Sequence, residues 1–149
     1  MILLLDIIEH LIEPTNIISE SKRVLKKNGI LVITTPNLAN IFNRFFLLLG
    51  WAFSNYHASR YTLGNPLLKI NEPGKLWNEN LHKSIFTAGE LKELIEKIFE
   101  FRLLSVKGYS YSVSQATGSD STYGKIRDVL NKLLPSSMRE GILIIAQKK

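Results

Sequence analysis

The feature that most constrains this chain is a pair of short apolar runs set one helix apart. Ile2-Leu-Leu-Leu5 and Ile30-Leu-Val-Ile-Thr-Thr35, the second closed by Pro36, have the continuous apolar and β-branched character of strands in a covered parallel sheet. Between them, Pro14 to Lys27 predicts an amphipathic helix. Ile17, Ile18, Ser21, Val24 and Leu25 share one face, Pro14 stands in the first turn, and Asn28-Gly29 marks the stop. Strand, helix and strand in this order make a right-handed βαβ unit, which commits the chain to an α/β fold.

The rest of the sequence extends that unit. Leu38 to Leu49 predicts a second helix whose apolar stripe is Leu38, Ile41, Phe42, Phe45, Leu48 and Leu49, with Gly50 past its end. Phe46, Leu47, Trp51 and Phe53 lie off the stripe and are expected to pack under a neighbouring loop rather than face lipid. Residues 54–81 carry Tyr56, His57, Arg60, Tyr61 and Trp77 without clean periodicity, as a lid-like insertion does. Thr87-Ala-Gly-Glu90 is a capping box that opens a helix with Leu91, Leu94, Ile95, Ile98 and Phe99 on its apolar face. Phe101–Lys107 and Ile142–Gln147 read as strands. A Ser/Gly/Tyr-rich loop and a helix bearing Ile126, Val129, Leu130, Leu133 and Leu134 separate them, and no internal repeat occurs.

Composition narrows the class. With 149 residues, 45% of them hydrophobic and 21% charged, the chain suits one globular domain. Its net charge of +6 favours anionic partners, but the cations are scattered. The densest group, Lys22, Arg23, Lys26 and Lys27, complements a helix C-terminus and has no interleaved aromatic residues, so no nucleic-acid partner is expected. The absence of cysteine excludes disulfides and thiolate metal sites. Asp6 and Glu9 in the apolar start argue against a signal peptide, and Asn43 and Arg44 interrupt the Ile41–Phe53 run. No transmembrane segment and a cytoplasmic location are therefore the expectation.

Taken together, Leu5-Asp-Ile-Ile-Glu-His-Leu-Ile-Glu-Pro14 and Arg23-Val-Leu-Lys-Lys-Asn-Gly-Ile-Leu-Val-Ile-Thr-Thr-Pro-Asn37 resemble class I S-adenosylmethionine-dependent methyltransferases. His82-Lys-Ser-Ile-Phe86-Thr87-Ala-Gly-Glu90-Leu91 is similar to the element opening that family's last large helix. Gly141-Ile-Leu-Ile-Ile-Ala-Gln-Lys148 is similar to its final antiparallel strand. The resemblance covers essentially the whole chain. It implies a partial Rossmann-like methyltransferase sheet from the fourth strand onward, with flanking helices and a C-terminal antiparallel strand. Residues 1–149 then form a single partial domain with 54–81 inserted. The family's first strand with its Gly-rich turn, and the acidic residue that holds the ribose, do not occur in residues 1–149.

An open α/β sheet binds ligand beyond the carboxyl ends of its strands. The resemblance therefore implies that this chain supplies one wall of a cofactor cleft and, alone, is inactive. Strand Ile2–Leu5 is expected to be an apolar edge that self-associates or pairs with a missing N-terminal half. The nucleotide sequence upstream of Met1 would distinguish an internal start from a split protein.

The implied activity is methyl transfer from S-adenosylmethionine to a small-molecule, glycan or lipid-linked acceptor. Leu5 and Asp6 would border the cofactor's methionine portion. Glu9 and His10 would serve as catalytic base, although an acid–His pair also braces loops by hydrogen bonding. Asn37, His57, Arg60, Tyr61 and His82 are the acceptor-site candidates. Asp6-x-x-Glu9-His10 further resembles the Glu-x-x-Glu-His metal site of ubiquinone-pathway and small-RNA 2′-O-methyltransferases. With Asp6 one methylene short, no metal is expected on ligand type alone. Two other readings stand beside this one: a non-enzymatic or degenerate fragment acting with a partner chain, and a basic module binding an anionic surface through Phe42–Phe53.

Overall fold

The computed structural model describes residues 1–52, 82–110 and 133–149. The expected lid at 54–81 and the expected helix around Ile126–Leu130 lie outside these residues. The described part is mixed α/β, with four strands, three helices and single turns of tighter or wider helix. The strands are β1 (Ile2–Leu5), β2 (Ile30–Pro36), β3 (Arg102–Tyr109) and β4 (Gly141–Gln147). The helices are α1 (Pro14–Val24), α2 (Ile41–Leu48) and α3 (Ala88–Glu93).

The sheet order is β1-β2-β4-β3. β1 runs parallel to β2, with Leu4 opposite Ile33, and β4 runs antiparallel to both β2 and β3. Register aligns the buried face: Leu31 meets Ala146, Ile33 meets Ile144, and Thr35 meets Ile142, all fully buried or nearly so. Ile18 of α1 with Leu91 and Ile95 of the α3 segment completes one core on this face, together with Phe86 and Phe101. Each fully buried Leu or Ile contributes roughly 1.5–3 kcal/mol. Ile30, Val32 and Thr34, which alternate with the sealed positions of β2, are only half-buried. The strand is thus covered completely on one face.

The helix ends correct the sequence expectations in detail. α1 stops at Val24 rather than Lys27, because Leu25 turns to extended backbone and enters the core while Val24 is left exposed. Asn28, at φ 62°, takes the left-handed turn. The Thr87 capping box forms as expected, with Thr87 Oγ1 accepting from Glu90 N at 3.1 Å and Glu90 Oε2 accepting from Thr87 N at 3.5 Å. Beyond it, Leu94–Ile98 widens to a π-type turn, which shifts the helical phase and leaves Ile98 69% exposed.

α2 departs most. It starts at Ile41 with Asn40 as cap, and the expected stripe is split: Leu38, Ile41 and Phe42 are half-buried and Phe45, Leu48 and Leu49 exposed, whereas Asn43 and the off-stripe Phe46 are buried. Among the described residues no helix is long and apolar enough to cross a membrane.

Candidate functional site

β1 ends at Leu5, and the chain then turns sharply at Asp6, whose φ of 50° lies in the left-handed region. Three contacts hold that turn. Asp6 N donates to Thr34 O (3.1 Å) and Thr34 Oγ1 (3.0 Å), and Thr34 Oγ1 donates to Asp6 Oδ1 (3.1 Å). The Tyr109 hydroxyl, from the end of β3, donates to the same carboxylate oxygen at 3.2 Å. Tyr109 reaches it because residue 141, opposite in the ladder, is glycine: a Cβ there would fall inside the Tyr109 ring.

A single 3₁₀ turn, Ile8–His10, follows, with Ile8 fully buried as its anchor. It carries Glu9 inward to 2% exposure, where Thr35 Oγ1 donates to Glu9 Oε2 at 3.2 Å. Burial pushes the Glu9 carboxyl above its ordinary value of 4.5, and the negative charge of Asp6 adds to this. The hydrogen bond from its own backbone, His10 and Thr35 act in the opposite direction.

His82 arrives from a distant part of the chain. Lys83 N and Ser84 N both donate to Glu9 O, at 2.7 and 3.0 Å, and Ser84 Oγ donates to Leu11 O at 2.8 Å. These bonds bring the His82 ring to 4.9 Å from the His10 ring, tilted by 54°. One ligand-grade atom each from Glu9, His10 and His82 lies within 4.8 Å of the others. His10 Nδ1 is buried and has no hydrogen-bond partner among the described residues. Asp6 does not belong to this group. Its carboxylate is engaged by Thr34 and Tyr109, so the local Asp6-x-x-Glu9-His10 set is replaced by Glu9, His10 and His82.

Of the other sequence candidates, Leu5 is half exposed on the edge strand, adjacent to the Asp6 turn. Asn37 is buried and its side chain is committed to the fold: Nδ2 donates to Ser137 O (3.0 Å) and Arg139 O (2.8 Å), and Oδ1 accepts from Ala39 N (3.0 Å). His57, Arg60 and Tyr61 lie outside the described residues. Sequence reasoning missed Thr34, Tyr109 and Ser84. The sequence reading ended the strand at Lys107, whereas β3 runs on to Tyr109 and so sets that hydroxyl at the strand's carboxyl end, the ligand side of an α/β sheet.

The arrangement can orient a bound molecule, take up a proton at Glu9 or His10, or hold a cation between one carboxylate and two imidazoles. No family model matches the chain, and no curated relative is found for it.

Proposed function

We propose that this chain forms the acceptor-side half of a class I S-adenosylmethionine-dependent methyltransferase with a small-molecule, glycan or lipid-linked acceptor. The observation that carries this reading is the meeting of the Asp6–His10 loop, the ends of β2 and β3, and His82–Ser84 at one end of the sheet, where open α/β sheets bind ligands. The ladder supports it. β1 and β2 are adjacent and parallel, as the family's fourth and fifth strands would be, and β4 is antiparallel, as its final strand would be.

S-adenosylmethionine, when bound, supplies an electrophilic methyl group on a sulfonium. Leu5 and the Asp6 turn, fixed by Thr34 and Tyr109, form the border for its methionine portion. Glu9, made more basic by burial, and His10 beside it take the proton that the acceptor loses as its new bond to carbon forms. His82 closes the acceptor side.

A second reading is favoured by the unpartnered His10 Nδ1 within the Glu9, His10 and His82 group. One carboxylate and two imidazoles suit a divalent transition metal, which would lower the pKa of an acceptor hydroxyl. One calorimetric experiment, on the complete gene product including any part encoded ahead of Met1, tests both. S-adenosylhomocysteine is expected to bind, and Asp6→Ala to weaken it about tenfold. No heat from S-adenosylhomocysteine would sink the methyl-transfer reading. Manganese heat abolished by His82→Ala would support the cation, and its absence would remove it.

A further inference from the structure

The Asp6 turn is held from both sides of the sheet. Asp6 follows β1 and Tyr109 ends β3, which are the outer strands of the described sheet, with β2 and β4 between them. Strands stand about 4.8 Å apart, so the two outer backbones are separated by roughly 14 Å. The Tyr109 hydroxyl nonetheless donates to Asp6 Oδ1 at 3.2 Å, the same oxygen that Thr34 Oγ1 reaches. Only a ring laid across β4 covers that distance. Residue 141 lies directly opposite Tyr109 in the ladder, and any β-carbon there would overlap ring carbons Cζ, Cε1 and Cε2. The glycine is a gap that the ring fills.

The root of Tyr109 is fixed as well. Gly108 N donates to Ser136 Oγ, and Arg139 Nη1 donates to Gly108 O at 3.4 Å. A β-carbon on Gly108 would collide with Ser136 O, so this strand end and the Ser136–Met138 turn meet backbone to backbone. Asn37 carries the fixation back to β2 through its bonds to Ser137 O and Arg139 O. Thr34, Asp6, Tyr109, Gly108, the 136–139 segment and Asn37 thus form a closed circuit that begins and ends at β2. A left-handed backbone in a residue other than glycine persists where its surroundings over-determine it, and such places cluster at ligand sites. Thr34 already satisfies the Asp6 N–H, so what the Tyr109 bond adds is the orientation of the carboxylate.

We infer that Tyr109 is a positioning residue of this site and Gly141 the gap that admits it: the hydroxyl fixes the Asp6 carboxylate, and the left-handed turn that bears it, in the geometry that borders the cofactor. The identity of the ligand rests on the methyl-transfer reading, whereas the positioning rests on the contacts themselves.

Two measurements test it, hydrogen exchange at the Asp6 amide in this chain and calorimetry with S-adenosylhomocysteine on the complete gene product. Tyr109→Phe, which keeps the ring and loses the hydroxyl, is expected to speed exchange at Asp6 about tenfold while the buried amides of β2 keep their rates. Gly141→Ala is expected to match it, and to add nothing in a Tyr109→Ala background, where no ring is left to displace. Affinity for S-adenosylhomocysteine is expected to fall about tenfold in Tyr109→Phe, and no further when Tyr109→Phe is added to Asp6→Ala, since the hydroxyl acts through that carboxylate. Unchanged Asp6 exchange in Tyr109→Phe overturns the proposal, whatever the ligand does. Faster exchange with undiminished affinity overturns it too, by making the tie structural only, as does a loss additive with Asp6→Ala, which would give the hydroxyl a ligand contact of its own. No heat from S-adenosylhomocysteine with the unchanged protein sinks the methyl-transfer reading alone, and the exchange rates still decide for or against the positioning role.

Discussion

Glu9 joins a buried carboxyl to a backbone carbonyl that anchors a remote segment, so one residue sets both the chemistry and the shape of the site. Its raised pKa carries a definite pH signature. The folded state keeps the proton at pH values where the unfolded chain releases it. Glu9's contribution is therefore fully present below about the ordinary 4.5 and is lost as pH rises through the raised folded value. Glu9→Gln, which can still accept from Thr35 Oγ1, is expected to raise the melting temperature at pH 7 and leave it nearly unchanged at pH 4. Equal effects at both pH values would show that burial does not dominate. Glu9 and His10 were legible as a pair because they are neighbours on a loop leaving a strand. His82 was legible as a candidate but not as their partner, because its approach depends on bonds such as Ser84 Oγ to Leu11 O, formed between residues 73 apart. Asn37 was legible as a strand-end polar residue. Its structural engagement was not, since Ser137 and Arg139 lie 100 and 102 residues away.

Elements whose signals are local were read well. The Thr87 capping box involves only four successive residues, and it forms as expected. Thr87→Ala is expected to lower stability by about 1 kcal/mol, measured by urea denaturation, with Thr87→Ser retaining most of it. A cost near zero would mean that burial of Leu91 and Ile95 holds this helix without its cap. α2 shows where local reading fails. Its apolar spacing is helical, but spacing gives a stripe and not the direction in which the stripe points. Here Asn40 and Asn43 decide that direction by bonding to Asn37 O and Leu38 O. The π-type turn after α3 likewise moves Ile98 out of a face that regular helical spacing assigned to the core.

At the scale of the molecule, the α/β class and the parallel β1–β2 pair were legible, because both rest on neighbouring elements. The position of β4 is a long-range event without a local signal beyond its likeness to a final antiparallel strand. The apolar edge expected at Ile2–Leu5 is present: among the described strands β1 pairs with β2 alone, and Leu3 and Leu5 are 48% and 50% exposed. Such an edge templates pairing with another strand. The isolated chain is expected to sediment as dimers or larger species, and Leu3→Lys to shift it toward monomer. A monodisperse monomer of the unchanged chain would overturn this. The central seat of β4 has a further consequence, for synthesis. A ribosome releases β4 after the other three described strands, and among these β2 and β3 join only through it. Until then β3 has no ladder partner among the described strands, and the nascent chain offers chaperones and proteases the unfinished edges of β2 and β3. A premature stop codon before Gly141 would therefore not shorten the sheet; it would leave it in two pieces.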